Sequence, residues 1–145
     1  MARQLSADAF IESAMKGTGI DAFDCESYRE GLDVFVNDFS AGIAKGIYTE
    51  AGIDRAAHDS IHYLSNRLRV SDSIRQNPEV LAGKIEKPVF VMGIPRTGTT
   101  LLSNLLACDP ARRSPLEWEI DEPVPPATTA TLKTDPRVLA KLEAH

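Results

Sequence analysis

Residues 88–109 read PVFVMGIPRTGTTLLSNLLACD, an apolar run, then a glycine-bearing turn, then a leucine-rich tail. Val89, Phe90, Val91 and Met92 are apolar and mostly β-branched or aromatic, bounded by Pro88 and Gly93, which is the pattern of a buried parallel strand. Leu101, Leu102, Leu105 and Leu106 fall on one helical face, so a helix is expected to begin near Gly98. Strand, turn and helix in this order predict an α/β fold with its first strand at 89–92.

A glycine turn that feeds a helix N-terminus gathers backbone N–H groups without intrahelical partners, and the positive end of the helix dipole reinforces them. Such a place is an anion site, with phosphate as its usual guest. The spacing of Gly93 and Gly98 is that of the nucleotide-binding P-loop, G-x-x-x-x-G-K-[ST], except that Thr99 stands where the lysine should be. In an NTPase that lysine reaches the β- and γ-phosphates, so its absence argues against ATP or GTP hydrolysis by the usual route. Arg96 supplies a permanent cation that can give two parallel hydrogen bonds to a phosphate or sulfate. Thr97, Thr99 and Thr100 add hydroxyl donors.

The string GIPRTGTTLL, followed by LLACDPARRSPLEWE and then PVPP, resembles the opening of a bacterial sulfotransferase that uses 3′-phosphoadenosine 5′-phosphosulfate (PAPS). Its P-R-T-G-T-T core is similar to the 5′-phosphosulfate loop of tyrosylprotein sulfotransferases, and the resemblance covers at least residues 88–126. It implies a P-loop NTPase-like, three-layer α/β/α sulfotransferase fold. It implies PAPS as co-substrate, no metal, and an acceptor hydroxyl or amine on a small molecule, glycan or lipid. Arg96, Thr97, Gly98, Thr99, Thr100 and Leu101 correspond to the loop that binds the donor. Arg96 takes the place of the lysine of the cytosolic enzymes and would stabilise charge on the bridging oxygen as the sulfuryl group leaves. Glu117 corresponds to the general base that deprotonates the acceptor, with Glu119 the second choice.

The remainder of the chain frames this segment. With 145 residues, 43% of them hydrophobic, the composition is globular. The opening MARQLS has no apolar core of a leader, and no stretch approaches the ~20 apolar residues of a membrane span, so a soluble cytoplasmic protein is expected. A formal net charge of −5 disfavours nucleic acid as a partner. Cys25 and Cys108 have no partner motif, so neither a disulfide framework nor a zinc site is expected. His58 and His62 have the i, i+4 spacing of a metal pair, yet Asp59 stands where the zincin pattern needs glutamate and a third ligand is missing.

Residues 1–84 read as a helical region. Ser6 is the expected N-cap of a helix over 7–16 that Gly17 and Gly19 end. Ser27 is expected to cap a helix over 28–45, with Leu32, Phe35, Val36, Phe39 and Ile43 on one face. A third helix over 53–76 places Ala57, Ile61, Leu64 and Leu68 together, and Pro78 marks its end. Residues 85–145 read as the start of an incomplete sulfotransferase domain. In it, 114–119 is expected to be extended, as a second strand, with Glu117 near its end and in the same crevice as the loop. Trp118 is expected in the core. Pro123, Pro125 and Pro126 form a stiff connector, 128–131 continues it with polar residues, and Asp135-Pro136 opens a last helix.

A doubly wound sheet needs ~4–6 strands, more than the two found here. The 3′-phosphate site of the family resembled has no counterpart, so the chain reads as the N-terminal part of a longer sulfotransferase. Two other readings stay open. One is a different P-loop nucleotide-binding or kinase-like protein, with Thr100 on Mg²⁺. The other is a non-catalytic helical interaction module built on residues 1–84.

Overall fold

The computed structural model describes residues 5–128, 130–132 and 134–143. Among the described residues six α-helices follow one another: α1 (Ala7–Thr18), α2 (Ser27–Ala44), α3 (Glu50–Gln76), α4 (Thr99–Ala107), α5 (Glu117–Asp121) and α6 (Pro136–Glu143). A 3₁₀ turn, Pro78–Ala82, follows α3. Packing divides the chain into two units, one running up to Asn77 and including Pro123–Pro125, the other holding Pro78–Glu122 and the residues from Pro126 onward.

The first unit is built on α1 to α3, and α1 packs chiefly along α3. Ser6 caps α1 as expected, its Oγ accepting from Ala9 N–H at 3.4 Å. Gly19 ends α1 in the left-handed conformation, φ 71°, and returns its N–H to the Met15 carbonyl. Ser27 behaves differently from expectation. It is the first residue of α2, with Glu26 as an N-cap that makes no side-chain bond, and its hydroxyl lies 2.9 Å from Cys25 Sγ. α3 starts three residues before the expected Ile53 because Thr49 caps it, accepting from Gly52 N–H at 3.2 Å.

The core of this unit gathers Phe10 and Ala14 of α1, Val36 of α2, and Ile53, Ala57, Leu64 and Leu68 of α3; Leu68 is fully enclosed. Of the apolar face expected on α2, only Val36 is buried, while Leu32, Phe39 and Ile43 lie half-buried against the core. Phe35 stacks on Phe39, and Phe39 on Tyr48. Gly42 permits this stack, since a Cβ there would come within 2.4 Å of Tyr48 Cε2.

The second unit overturns the expected α/β/α sheet. Among the described residues there is no strand. Residues 89–92, expected as the first strand, are irregular, and Val89, Phe90 and Met92 are 55%, 81% and 89% exposed. An apolar, β-branched composition makes a segment compatible with a sheet but does not create one: a strand exists through the neighbours that take its N–H and C=O groups, and the described residues provide none.

The expected second strand is corrected as well. Residues 111–116 are irregular, and Glu117 opens α5. Glu119, three residues after the N-cap Leu116, reaches back to accept the Leu116 N–H at 2.7 Å, and the two carboxylates in the first turn favour the positive end of the helix. These contacts set a helix start where an extended segment is expected.

The chain bends at the prolines, where the Val124–Pro125 peptide is cis. Thr129, within the polar run expected at 128–131, lies outside the described residues, as does His145. Asp135 precedes α6 and accepts the Arg137 N–H at 3.0 Å, as a residue capping a proline-started helix does.

Candidate functional site

The loop between residues 93 and 98 is a tight turn followed by a helix start. Thr97 N–H donates to the Ile94 carbonyl at 3.3 Å, closing a turn with Pro95 second and Arg96 third. Arg96 has φ 70°, so the turn carries the proline-then-positive-φ signature of type II, with arginine where glycine is usual. An L-residue in that conformation costs roughly 1–2 kcal/mol. Gly98 follows at φ 89° as the N-cap of α4, a conformation only glycine adopts readily. The first bond into the helix is Leu102 N–H to the Gly98 carbonyl at 3.0 Å. The N–H groups of Thr99, Thr100 and Leu101 therefore have no partner inside α4.

Gly93 is required for the same construction. A Cβ there would lie 2.7 Å from Thr99 Cγ2 and 2.9 Å from Thr97 Oγ1, so these two threonines fold over a bare backbone. Thr97 also donates its hydroxyl hydrogen to the Ile94 carbonyl at 2.6 Å. That proton closes the turn, which leaves Thr99 and Thr100 as the hydroxyls able to donate to an anion. Arg96 and Thr100 are exposed and Thr99 is half-buried.

Glu117 sits at the first position of α5, exposed, on the wall of a cavity of about 160 Å³ shared with Trp118, Val138, Lys141 and Leu142. Lys141 pairs with Asp121 at 2.8 Å, and the neighbouring carboxylates, Asp121 first and Glu117 among them, push its pKa up. Glu119 is engaged quite differently. It accepts from Leu116 N–H and pairs with Arg113, and these contacts hold its carboxyl below the usual range, the backbone bond opposing the effect of desolvation most strongly. A carboxylate so occupied fastens the helix start and is a poor proton acceptor.

An anchor that the sequence did not disclose holds α5 from the other end. Trp118 is buried, with the Arg137 guanidinium 4.7 Å from its ring centre. Arg137 donates to both Asp135 oxygens, at 2.8 and 2.7 Å, and to the Glu122 carbonyl. The arginine thereby lowers the Asp135 pKa to about 2. The clue was present in Asp135-Pro136-Arg137, but pairing it with Trp118 requires knowing that α6 returns to α5.

Arg96 and Glu117 both lie in the second unit, within its Pro78–Glu122 segment, Arg96 in the loop before α4 and Glu117 at the start of α5. The described hydrogen bonds of residues 94–98 close on the loop and α4, and the cavity that Glu117 lines includes none of the loop residues. Among the described residues no group of three His, Cys, Asp or Glu is placed to hold a metal ion, and His62 Nε2 lies 3.1 Å from Asn66 Nδ2. No helix among the described residues is long and apolar enough to cross a membrane.

The turn thus delivers a glycine N-cap, an arginine and two threonines to a helix start whose first N–H groups have no intrahelical partner. Residues 88–145 match the model of the sulfotransferase family. The fold is similar to sulfotransferase STF9 from Mycobacterium avium, with TM-score 0.86 and 43% identity over 96% of this chain and 35% of that one. It is also similar to sulfotransferase STF1 from Mycobacterium tuberculosis H37Rv, with TM-score 0.84 and 30% identity over 99% of this chain and 39% of that one. Together these matches place the chain with the bacterial sulfotransferases, as the resemblance of its loop implied. The chain spans well under half the length of these solved relatives. Comparison with curated protein sequences gives no match.

Proposed function

We propose that this chain carries the donor loop and the general base of a PAPS-dependent sulfotransferase. The observation that carries the reading is the turn with Arg96 and Gly98 both at positive φ, placed at the start of α4 inside the segment that matches the family. The N–H groups of Thr99, Thr100 and Leu101, with the Thr99 and Thr100 hydroxyls, form the cradle for the 5′-phosphosulfate. Gly93 keeps that cradle clear of a side chain.

In the transfer, the S–O bond to the donor phosphate breaks as a new S–O or S–N bond forms to the acceptor. Arg96 stabilises the negative charge that grows on the former bridging oxygen, an oriented charge that acts more strongly in the transition state than on the bound donor. Glu117 takes the acceptor proton. The products are the sulfated acceptor, adenosine 3′,5′-bisphosphate and a proton held by Glu117. The acceptor is a small-molecule, glycan or lipid hydroxyl, or an amine, and the setting is cytoplasmic.

Calorimetric titration of this chain with adenosine 3′,5′-bisphosphate and with PAPS, Mg²⁺ omitted, tests the proposal. Metal-independent binding that Arg96→Ala removes supports it. Binding that requires Mg²⁺ and prefers ATP would overturn it in favour of an ordinary P-loop nucleotide site.

A further inference from the structure

The first unit contains a groove of about 590 Å³ between α2 and α3, distinct from the loop and from Glu117. That volume is in the ordinary range for a small-molecule site. Its α2 wall is Tyr28, Leu32 and Phe35, one residue per turn, and Tyr63 and Leu64 face them from α3. Tyr63 is 66% exposed, a large aromatic surface left to solvent beside another ring, Phe35. The groove is thus apolar and aromatic along its length.

Its two ends carry an arginine and an aspartate, each already in an ion pair that leaves one polar atom over. Arg67 marks the Tyr28 end, with its guanidinium 5.4 Å from the Tyr28 ring centre. Nε and Nη2 of Arg67 are held by Asp24 at 3.1 and 3.3 Å, which sets the plane of the group and leaves Nη1 without a described bond. Asp59 lies eight residues earlier on the same helix, about 12 Å along its axis. Its Oδ2 accepts from Arg55 Nε at 3.2 Å, and Oδ1 has no described partner. A preset donor therefore stands at one end of an apolar trough and an acceptor at the other.

We infer that this groove binds a rigid ring compound bearing an anionic group at one end and a hydroxyl at the other. The anion takes Arg67 Nη1, the hydroxyl donates to Asp59 Oδ1, and the ring body lies between Tyr28, Phe35 and Tyr63. A ligand lacking either polar end leaves one of these groups desolvated and unpaired, which is what makes the site selective. The inference stands independently of the sulfuryl-transfer reading, since it uses none of the loop residues.

The test uses the whole 145-residue chain and 6-hydroxy-2-naphthoate as probe, with 2-naphthoate and 2-naphthol as the versions missing one end. Binding is followed by calorimetry and by amide chemical shifts. The expected result is saturable binding by the probe, about tenfold weaker binding for each analogue, and shifts clustered on Tyr28, Ser60 and Tyr63. Arg67→Gln should abolish the advantage of the probe over 2-naphthol while preserving its advantage over 2-naphthoate. Tyr63→Ala, at an exposed position that leaves the core intact, should weaken all three ligands by about tenfold. No saturable binding up to about 1 mM overturns the inference, as does equal affinity for the three ligands, shifts confined to the second unit, or affinity unchanged by Tyr63→Ala.

Discussion

Replacing Arg96 by glycine and, separately, by alanine divides the two jobs this residue does. At φ 70° the backbone is held in a conformation that costs an L-residue roughly 1–2 kcal/mol, and glycine is spared that cost. Glycine also gains freedom in the unfolded chain, worth about 0.4–1 kcal/mol in the opposite direction. The net expectation is a turn about 0.5–1 kcal/mol more stable in Arg96→Gly than in Arg96→Ala, or about two- to fivefold stronger protection of the Thr97 amide, which closes the turn on Ile94. Both variants lose the guanidinium, and a hydrogen bond to a charged group is worth about 1.5–3 kcal/mol, so each should bind adenosine 3′,5′-bisphosphate or PAPS about 10- to 100-fold more weakly. Hydrogen exchange reads the first quantity and calorimetry the second. Equal Thr97 protection in the two variants would refute the strain argument, and wild-type affinity in either would refute the role of Arg96 as the loop cation.

Four further outcomes follow from the geometry. Gly93→Ala brings a methyl to within 3 Å of Thr97 and Thr99, and should weaken donor binding about tenfold or more by displacing both threonines, while α4 persists by amide shifts. Glu117→Gln should leave bisphosphate affinity within about twofold and lower sulfuryl transfer by about 10²–10⁴, measured in an extended chain that turns over. Leu68→Ala, at the fully enclosed centre of the first unit, should destabilise it by about 2–5 kcal/mol in urea denaturation. The Asp135 pKa is lowered on folding from 3.8 to about 2, so its stabilising contribution is complete above 3.8 and is lost as pH falls toward 2. Carboxyl carbon shifts of Asp135 should titrate in that window, and Arg137→Gln should move the midpoint back toward 3.8.

What could be read from the residues follows from how local each cause is. Ser6, Gly19, Gly98 and Asp135-Pro136 act through hydrogen bonds to atoms a few positions away and bound helices near where their chemistry predicts, although α1 runs through Gly17 to Thr18. The run at 89–92 forms no strand although its composition suits one, because strand formation depends on a partner elsewhere in the chain and composition alone carries no word of that partner. Glu117 opens a helix and not a strand because Glu119 reaches back to the Leu116 N–H, and a leucine at the N-cap gives no warning of that start. Leu101, Leu102 and Leu105 share a spacing that predicts a buried face, yet all three are exposed among the described residues. The Trp118–Arg137 contact and the charged ends of the groove between α2 and α3 arise from helix packing and have no local signature.

The Arg137–Trp118 stack has a practical consequence for following this protein in solution. Trp118 is the sole tryptophan of the chain, and it belongs to the second unit. Indole emission therefore reports the release of α6 from α5 and is nearly silent about the first unit. Circular dichroism is weighted the other way, because the helices of the first unit run 12, 18 and 27 residues against 9, 5 and 8 in the second. Recorded together on one heating ramp, the two signals resolve the melting of each unit without any label, and a gap between their midpoints measures how independently the units unfold.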